Sequence, residues 1–363
     1  MIIIEPIDTL FFRDGKPFSM GDQTAAFGIF PPYPSTVYGA IRTGIISQNQ
    51  GFSSFYAGGM ADEIGTITDS YSASFKLKGV FLYNSTDDYL YFPAPLDLVT
   101  DKDNKSAKNN KTAKRTGIKK DTPFSTNIKI DQYLFPLEIE KAKSVKGYYI
   151  KHTDLKSYLN STKDEFDIYP EKIFCRVEYK TGIKIDAQTK TADEGNLYRV
   201  GMRRFEKDFS LACDLEGAPS LRKEGVLKLG GEGKTVRYHT SELQLPDTKE
   251  TVVKRIKETG IIKLYFATPA IFKKGWFPDE KIINGPDYKL ELITASIGSP
   301  VFIGGWDMGK GGHKTMMRGV PAGSVYYFKI LNGDVENIYQ HLHYRNISER
   351  ADEGFGLIMV GGA

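Results

Sequence analysis

Three segments of the chain combine glycine with basic side chains in a way that suits contact with phosphate. The first reads Leu229-Gly230-Gly231-Glu232-Gly233-Lys234-Thr235-Val236-Arg237-Tyr238. Its Gly-Lys-Thr invites a nucleotide-binding loop. That loop needs a glycine five positions before Gly233, where Lys228 stands, and a helix afterwards, where Val236 to His239 looks extended. The segment better fits a hairpin turn whose amides approach an anion beside Lys234 and Arg237; a plain structural hairpin is the alternative.

The second segment runs from Gly304 to Ser324. Its seven glycines forbid a helix and imply close backbone approach, while Lys310, His313, Lys314 and Arg318 supply charge with few opposing acids. A ligand-facing loop is expected, with a glycine-rich link between strands as the alternative. The third, Glu353-Gly354-Phe355-Gly356-Leu357, lacks the crossover helix that a dinucleotide fingerprint requires. It places an amide-rich turn before a strand.

Catalytic constellations are thinner. His152, His239, His313, His341 and His343 have no metal-ligand spacing, and the adjacent acids Asp62-Glu63, Asp87-Asp88 and Asp352-Glu353 read as solvated loop pairs. No metal and no cofactor are expected. The one acid-base candidate is His313, where an imidazole beside Lys314 suits metal-independent RNA cleavage. Cys175 and Cys213 are too few and too far apart for a disulfide framework or a zinc site, and they suit a reducing compartment.

The scaffold that positions these segments reads as β-rich α+β. Ile2 to Ile4 is a short buried strand. Ser35 or Thr36 caps a helix in which Val37, Ala40, Ile41, Gly44 and Ile45 recur at helical spacing. Phe174 to Tyr179, Phe209 to Leu215, Val226 to Leu229 and Thr235 to His239 are strands; Leu155 to Leu159 is a helix fragment. The polar stretch Glu242 to Glu250 separates a first domain, 1–245, from a second, 246–363. In the second, Ile261 to Phe266, Lys289 to Ile297, Val301 to Trp306, Val325 to Ile330 and Leu357 to Val360 are strands, and Val335 to Leu342 is a helix. Each half can hold a βαββαβ unit, so the expected fold is α+β with two ferredoxin-like domains, insertions and glycine-rich loops.

The length of 363 residues agrees with two domains, and 40% hydrophobic against 26% charged residues excludes wholesale disorder. The 36 glycines, 21 tyrosines and 22 phenylalanines suit many turns and strands. A net charge of +4 is too weak to name a polyanionic partner, but Asp101 to Lys120 alone holds eight Lys or Arg against two Asp. That stretch, within a region of about 98–130, reads as a basic mobile insertion, a solvated loop with contact to RNA as the alternative. The apolar run at the start stops too soon for a signal peptide, and no run reaches the length of a membrane span, so a cytoplasmic protein with no membrane partner is expected.

Several motifs together carry a resemblance. They are Ile4-Glu5-Pro6-Ile7-Asp8-Thr9-Leu10-Phe11-Phe12-Arg13-Asp14-Gly15-Lys16-Pro17-Phe18, Phe30-Pro31-Pro32-Tyr33-Pro34-Ser35-Thr36 into Gly39-Ala40-Ile41-Arg42, Ala192-Asp193-Glu194-Gly195-Asn196-Leu197-Tyr198, Leu229-Gly230-Gly231-Glu232, and Pro321-Ala322-Gly323-Ser324 with Gly354-Phe355-Gly356. In this order the chain resembles the third subunit of the Cmr complex, a repeat-associated (RAMP) protein of type III-B CRISPR effectors. The lysine-rich stretch looks like an insertion against that pattern. The equivalent type III-A subunit fits the same motifs.

The resemblance implies a tandem ferredoxin-like, RRM-related fold. It also implies a non-catalytic role in antiviral defence: binding the 5′ repeat-derived tag of the CRISPR RNA and bridging the large polymerase-like Cmr subunit two to the backbone Cmr subunit four, with Cmr subunit five met indirectly. Phosphate or base contacts are then expected at Arg13, Arg42, Arg199, Arg203, Arg204, Lys234, Arg237, His313, Lys314 and Arg318, although Arg42 on the first helix also suits a buried salt bridge. Tyr198, Tyr238 and Phe355 are expected as stacking platforms, and Gly230, Gly231, Gly354 and Gly356 as points where amides reach the tag. The rival is a repeat-cleaving endoribonuclease using His313.

Overall fold

The computed structural model describes residues 1–13, 25–49, 51–67, 73–101, 110–120, 130, 132–137, 139, 141–185, 188–189, 191–277, 282–307 and 311–363. For 25–27, 184–185 and 192–198 it describes the backbone alone. The fold is mixed α+β, with mostly antiparallel sheets and few helices. Two compact units divide the chain: Met1–Thr86, Phe174–Glu242 and Phe302–Met317 form one, and Asp87–Ile173, Leu243–Val301 and Arg318–Ala363 the other.

The first unit is built around the strand Ile2–Pro6, whose three isoleucines are buried on both faces. Phe209–Glu216 pairs with it antiparallel on one side and Thr235–Thr240 on the other, and Lys76–Asn84 pairs with Phe209–Glu216. Numbered along the chain, these four strands lie in the spatial order fourth, first, third, second. Glu224–Lys228 extends the sheet beyond Thr235–Thr240.

The helix Pro34–Gln48 follows the first strand and buries Val37, Tyr38, Ala40, Ile41, Ile45 and Ile46. Ser35 and Thr36 are not its caps. Pro34 opens the helix after Tyr33, because a fixed φ and an absent N–H suit the first helical position. Gly44 brings the helix close to Glu224–Lys228, since a Cβ there would lie 2.2 Å from the Leu227 Cδ2. The unit also carries a long hairpin, Cys175–Ile185 paired antiparallel with Ala192–Phe205, to which Ala25–Phe27 adds a parallel edge strand.

In the second unit, Leu357–Gly362, Ile261–Phe266, Val325–Asn332 and Lys289–Ser296 lie side by side and antiparallel. The order is again fourth, first, third, second. The helix Val335–Leu342 connects the third strand to the fourth, and the Asp334 carboxylate caps it by accepting from the Asn337 N–H at 3.0 Å. Lys249–Thr259 is a helix that the polar sequence conceals: only Val252, Val253 and Ile256 are buried along one stripe.

Lys111–Lys120 corrects the expectation of a mobile loop. It is a strand paired with Glu165–Pro170, Leu98–Asp101 and Gln132–Pro136. Ladder partners on both sides override its weak apolar pattern, and Ala113 is its one fully buried residue. Residues 102–109 and 121–129 of that region lie outside the described residues.

A buried polar cluster joins the 87–173 stretch to the C-terminal sheet within this unit. Asp97, 4% exposed, accepts hydrogen bonds from the hydroxyls of Tyr158 at 2.7 Å and Tyr327 at 2.5 Å. The Tyr158 carbonyl accepts from Lys263 Nζ at 2.8 Å and Arg115 Nη2 at 3.1 Å. Lys263 is fully buried with its amine 3.8 Å from the centre of the Tyr158 ring, and burial holds its pKa well below the usual lysine range. Burial, then the Asp97 charge, pushes the Tyr158 and Tyr327 hydroxyls well above theirs.

His343 makes the stability of this unit pH-dependent. Its ring stacks on Tyr339 at 4.5 Å and its Nδ1 accepts from the Val360 N–H at 3.2 Å. Burial lowers its pKa from 6.5 to about 4. The unfolded chain therefore takes up a proton near pH 6.5 that the folded chain refuses. The stability is fully present above pH 6.5 and is lost as pH falls toward 4, by on the order of 3 kcal/mol. Urea unfolding of the wild type and of His343→Gln across this window should show a shallower acid loss for the variant; parallel curves would count against a neutral His343.

Candidate nucleic-acid interface

The long hairpin presents two faces of opposite character. Its register sets Val177 against Arg203, Tyr179 against Gly201 and Thr181 against Arg199, so these residues share one face. That face is open. Val177, Tyr179 and Ile183 are 41%, 55% and 46% exposed, an apolar row that no side chain covers fully. The Arg199 guanidinium lies 5.7 Å from the centre of the Tyr179 ring. Arg203 lies 5.6 Å from the Phe30 ring and donates to the Gly28 carbonyl at 2.9 Å. Arg13, exposed, bridges Gly28 through its backbone. An exposed ring beside a guanidinium group can stack a base and hold its phosphate.

The opposite face is closed and charge-paired. Val200 and Met202 pack with Phe11 in a small buried cluster. Arg204 donates to Glu178 at 2.5 Å and to Asp8 at 3.2 Å, Lys234 donates to Asp8 at 2.9 Å, and Lys180 to Glu232 at 2.6 Å. The Lys234 hydrogen bond, ahead of the smaller pull of Arg204, lowers the Asp8 pKa to about 2. Arg204 likewise draws the Glu178 carboxyl down. The charges of Arg204 and Lys234 are thus matched by those of Asp8 and Glu178.

Several expected contacts are corrected. Gly231 donates its amide to the Phe11 carbonyl at 2.8 Å. Gly230, at φ +81°, makes that docking possible, since a Cβ there would lie 2.5 Å from the same oxygen. These glycines close the turn onto the chain, and the Gly231 amide is spent. Arg42 donates Nε to Ile64 O at 2.8 Å and Nη2 to Thr66 O at 2.6 Å, with Phe55 beneath it. It is a brace for the first helix. Phe355 is fully buried under Arg350 and has no face for a base. The amides of Gly354 and Gly356 are taken by Ala351 O and Pro269 O, and both residues have positive φ, so their glycine character serves the turn. Tyr238 is buried and bonded to Gln48.

Other expected residues keep an exposed position. Arg237 points to solvent from the sheet, and Arg318 is exposed in the second unit. His313 is exposed and pairs with Trp306, whose ring it meets edge-on at 5.1 Å. Lys314, half-buried, donates its amide to Gly305 O at 2.9 Å. Tyr198 pairs with Gly182 through its backbone, and its side chain lies outside what is described, as do Met308 to Lys310.

Tyr179 and Trp306, 55% exposed like Tyr179, are the rings that the sequence reading passed over. The signal for Tyr179 was present as the alternation Val177, Tyr179, Thr181, Ile183 against Arg176, Glu178, Lys180, which reads as a core-facing strand. Among the described residues no group of three His, Cys, Asp or Glu is placed to hold a metal ion, and no helix is long and apolar enough to cross a membrane.

Comparison with known proteins agrees with these features at the level of family and fold. The family described as CRISPR-associated protein (Cas_Cmr3) matches residues 2–363. No curated protein matches the chain. A chain of a solved structure described as type III-B Cmr-beta bound to cognate target RNA and AMPPnP, state 1, is similar in fold. Its TM-score is 0.51 at 15% identity, over 94% of this chain and 87% of that one. A chain of type III-B Cmr-beta bound to cognate target RNA has a TM-score of 0.49 at 16% identity, over 90% and 86%.

Asp8→Asn should release Lys234, with Arg204 still held by Glu178, while barely changing thermal stability, because exposed ion pairs contribute little. Binding of single-stranded RNA should tighten a few-fold at low salt, with a steeper salt dependence by roughly 0.7 per cation freed. An unchanged slope in fluorescence anisotropy titrations would show that Lys234 faces no polyanion.

Proposed function

The chain belongs to the Cas_Cmr3 family of CRISPR-associated proteins, and on that premise we propose that it is a non-catalytic subunit of a type III-B Cmr effector complex. In this reading it binds the 5′ repeat-derived tag of the CRISPR RNA in the cytoplasm, for antiviral defence. The observation that carries the proposal is the open face of the long hairpin, where the exposed Tyr179 ring lies beside Arg199. Single-stranded RNA recognition needs unstacked bases laid on rings with cations at the phosphates. Arg13 and Arg203 extend the same set, and Arg237, Lys314 and Arg318 remain candidate phosphate contacts.

The strand orders support a ferredoxin-like reading of both sheets. Each follows the order fourth, first, third, second that a βαββαβ unit produces. The first unit retains the helix after its first strand, Pro34–Gln48, and the second retains the helix after its third, Val335–Leu342. Partners in this reading are the large Cmr subunit two and the backbone Cmr subunit four, bridged by this chain, with Cmr subunit five contacted indirectly.

The endoribonuclease alternative requires His313 to work with a second acid or base, and the neighbour described for it is the Trp306 ring. Two measurements test the proposal together. Tyr179→Ala should weaken binding of tag-bearing RNA about tenfold, since one base stack lost costs roughly 1 to 3 kcal/mol. Arg199→Ala should weaken it as well and reduce the salt slope by about 0.7. Repeat RNA incubated with the wild-type protein should stay intact. Wild-type affinity in both variants would remove the hairpin from the site, and specific cleavage abolished by His313→Ala would establish the alternative.

A further inference from the structure

We propose that the far end of the strand pair Lys111–Lys120 and Gln132–Pro136 is a second contact for single-stranded nucleic acid, distinct from the long hairpin. The register places Gly117 opposite Phe135 and Lys119 opposite Tyr133, so these residues share one face. Phe135 is 42% exposed, and Tyr133 meets its ring edge-on at 6.3 Å. The Lys119 amine lies 3.8 Å from the centre of the Phe135 ring. Lys119 and Lys120 are both exposed, and among the described residues neither meets a carboxylate.

The near end of the same strand differs. There Lys114 pairs with Glu165 at 2.9 Å, and Arg115 is committed to the Tyr158 carbonyl and the Ser161 hydroxyl. The two strands contain no acid of their own. Among the described residues, positive charge is therefore compensated at one end and uncompensated at the other, where the rings are. An acidic peptide would satisfy the lysines and leave Phe135 in water. A nucleotide strand satisfies both, because the lysines take phosphates while a base replaces the Lys119 amine on the Phe135 ring face. The site does not depend on the tag assignment, because every base has a face to stack.

The test uses the full chain and a short labelled oligo-uridine without tag sequence, with oligo-thymidine as a second probe to separate RNA from DNA. Lys119→Gln with Lys120→Gln should reduce the salt slope of oligo-uridine binding by about 1.4, from two phosphate contacts at roughly 0.7 each. Phe135→Ala, an exposed change that leaves the fold intact, should weaken binding about tenfold. 5-Iodouridine in the probe should crosslink to the peptide that contains Tyr133 and Phe135. Tyr179→Ala, measured in parallel on tag-bearing RNA, reports on the hairpin separately, so either site can fail without the other. Wild-type affinity and slope in both variants, with no crosslink to this peptide, would overturn the proposal. So would an equal loss of polyglutamate binding, which would assign the lysines to an acidic protein surface.

Discussion

Taking the Asp97 carboxylate out of water costs several kcal/mol unless donors surround it. The second unit supplies them from stretches far apart in sequence: Tyr158 from the helix His152–Asn160 and Tyr327 from the C-terminal sheet. The Tyr158 carbonyl then collects Arg115 and Lys263. Each member needs the others in place, because a buried donor or acceptor left unpaired costs about 1 to 3 kcal/mol. The strands of the 87–173 stretch are thereby fixed on the C-terminal sheet, and so is Lys111–Lys120, which supplies Arg115.

Elsewhere, the two faces of one element differ in where charge is left uncompensated. The long hairpin separates its two faces by the two-residue period of a strand. On one, Asp8, Glu178 and Glu232 hold Arg204, Lys234 and Lys180 in ion pairs. On the other, Arg199 lies beside an exposed ring. Counting basic residues along the sequence treats these arginines and lysines alike, whereas the register sorts them into paired and available. This explains why a chain of net charge +4 can present a local surface suited to polyanions.

Much of the scaffold was legible in the sequence. Ile2 to Ile4 could only be a buried strand, and the helix expected over Val335 to Leu342 has those bounds in the structure. The 229–234 turn followed from its glycines. Side-chain roles were less legible, since one residue type serves two purposes. Gly356 and Phe355 read as a recognition loop, but the glycine allows a positive φ and the phenylalanine fills the core. Tyr179 reads as core from its alternation, yet nothing packs fully over it. The strand Lys111–Lys120 has hardly any apolar period because it is held by ladder partners and ion pairs instead of by a buried face.

The pairing of the first strand also sets a timetable for synthesis. Ile2 lies opposite Thr240 and Cys213, and the terminal amine donates to the Ser241 carbonyl. No part of that ladder can close until Leu211 to Cys213 have followed it out of the ribosome. At roughly 5 to 20 residues per second, the hydrophobic Ile2–Ile4 segment waits on the order of 10 to 50 seconds for its partners. The residue run most apt to seek another strand is thus made long before either of its partners, which makes the nascent chain, more than the finished protein, the form that needs protection from wrong pairing.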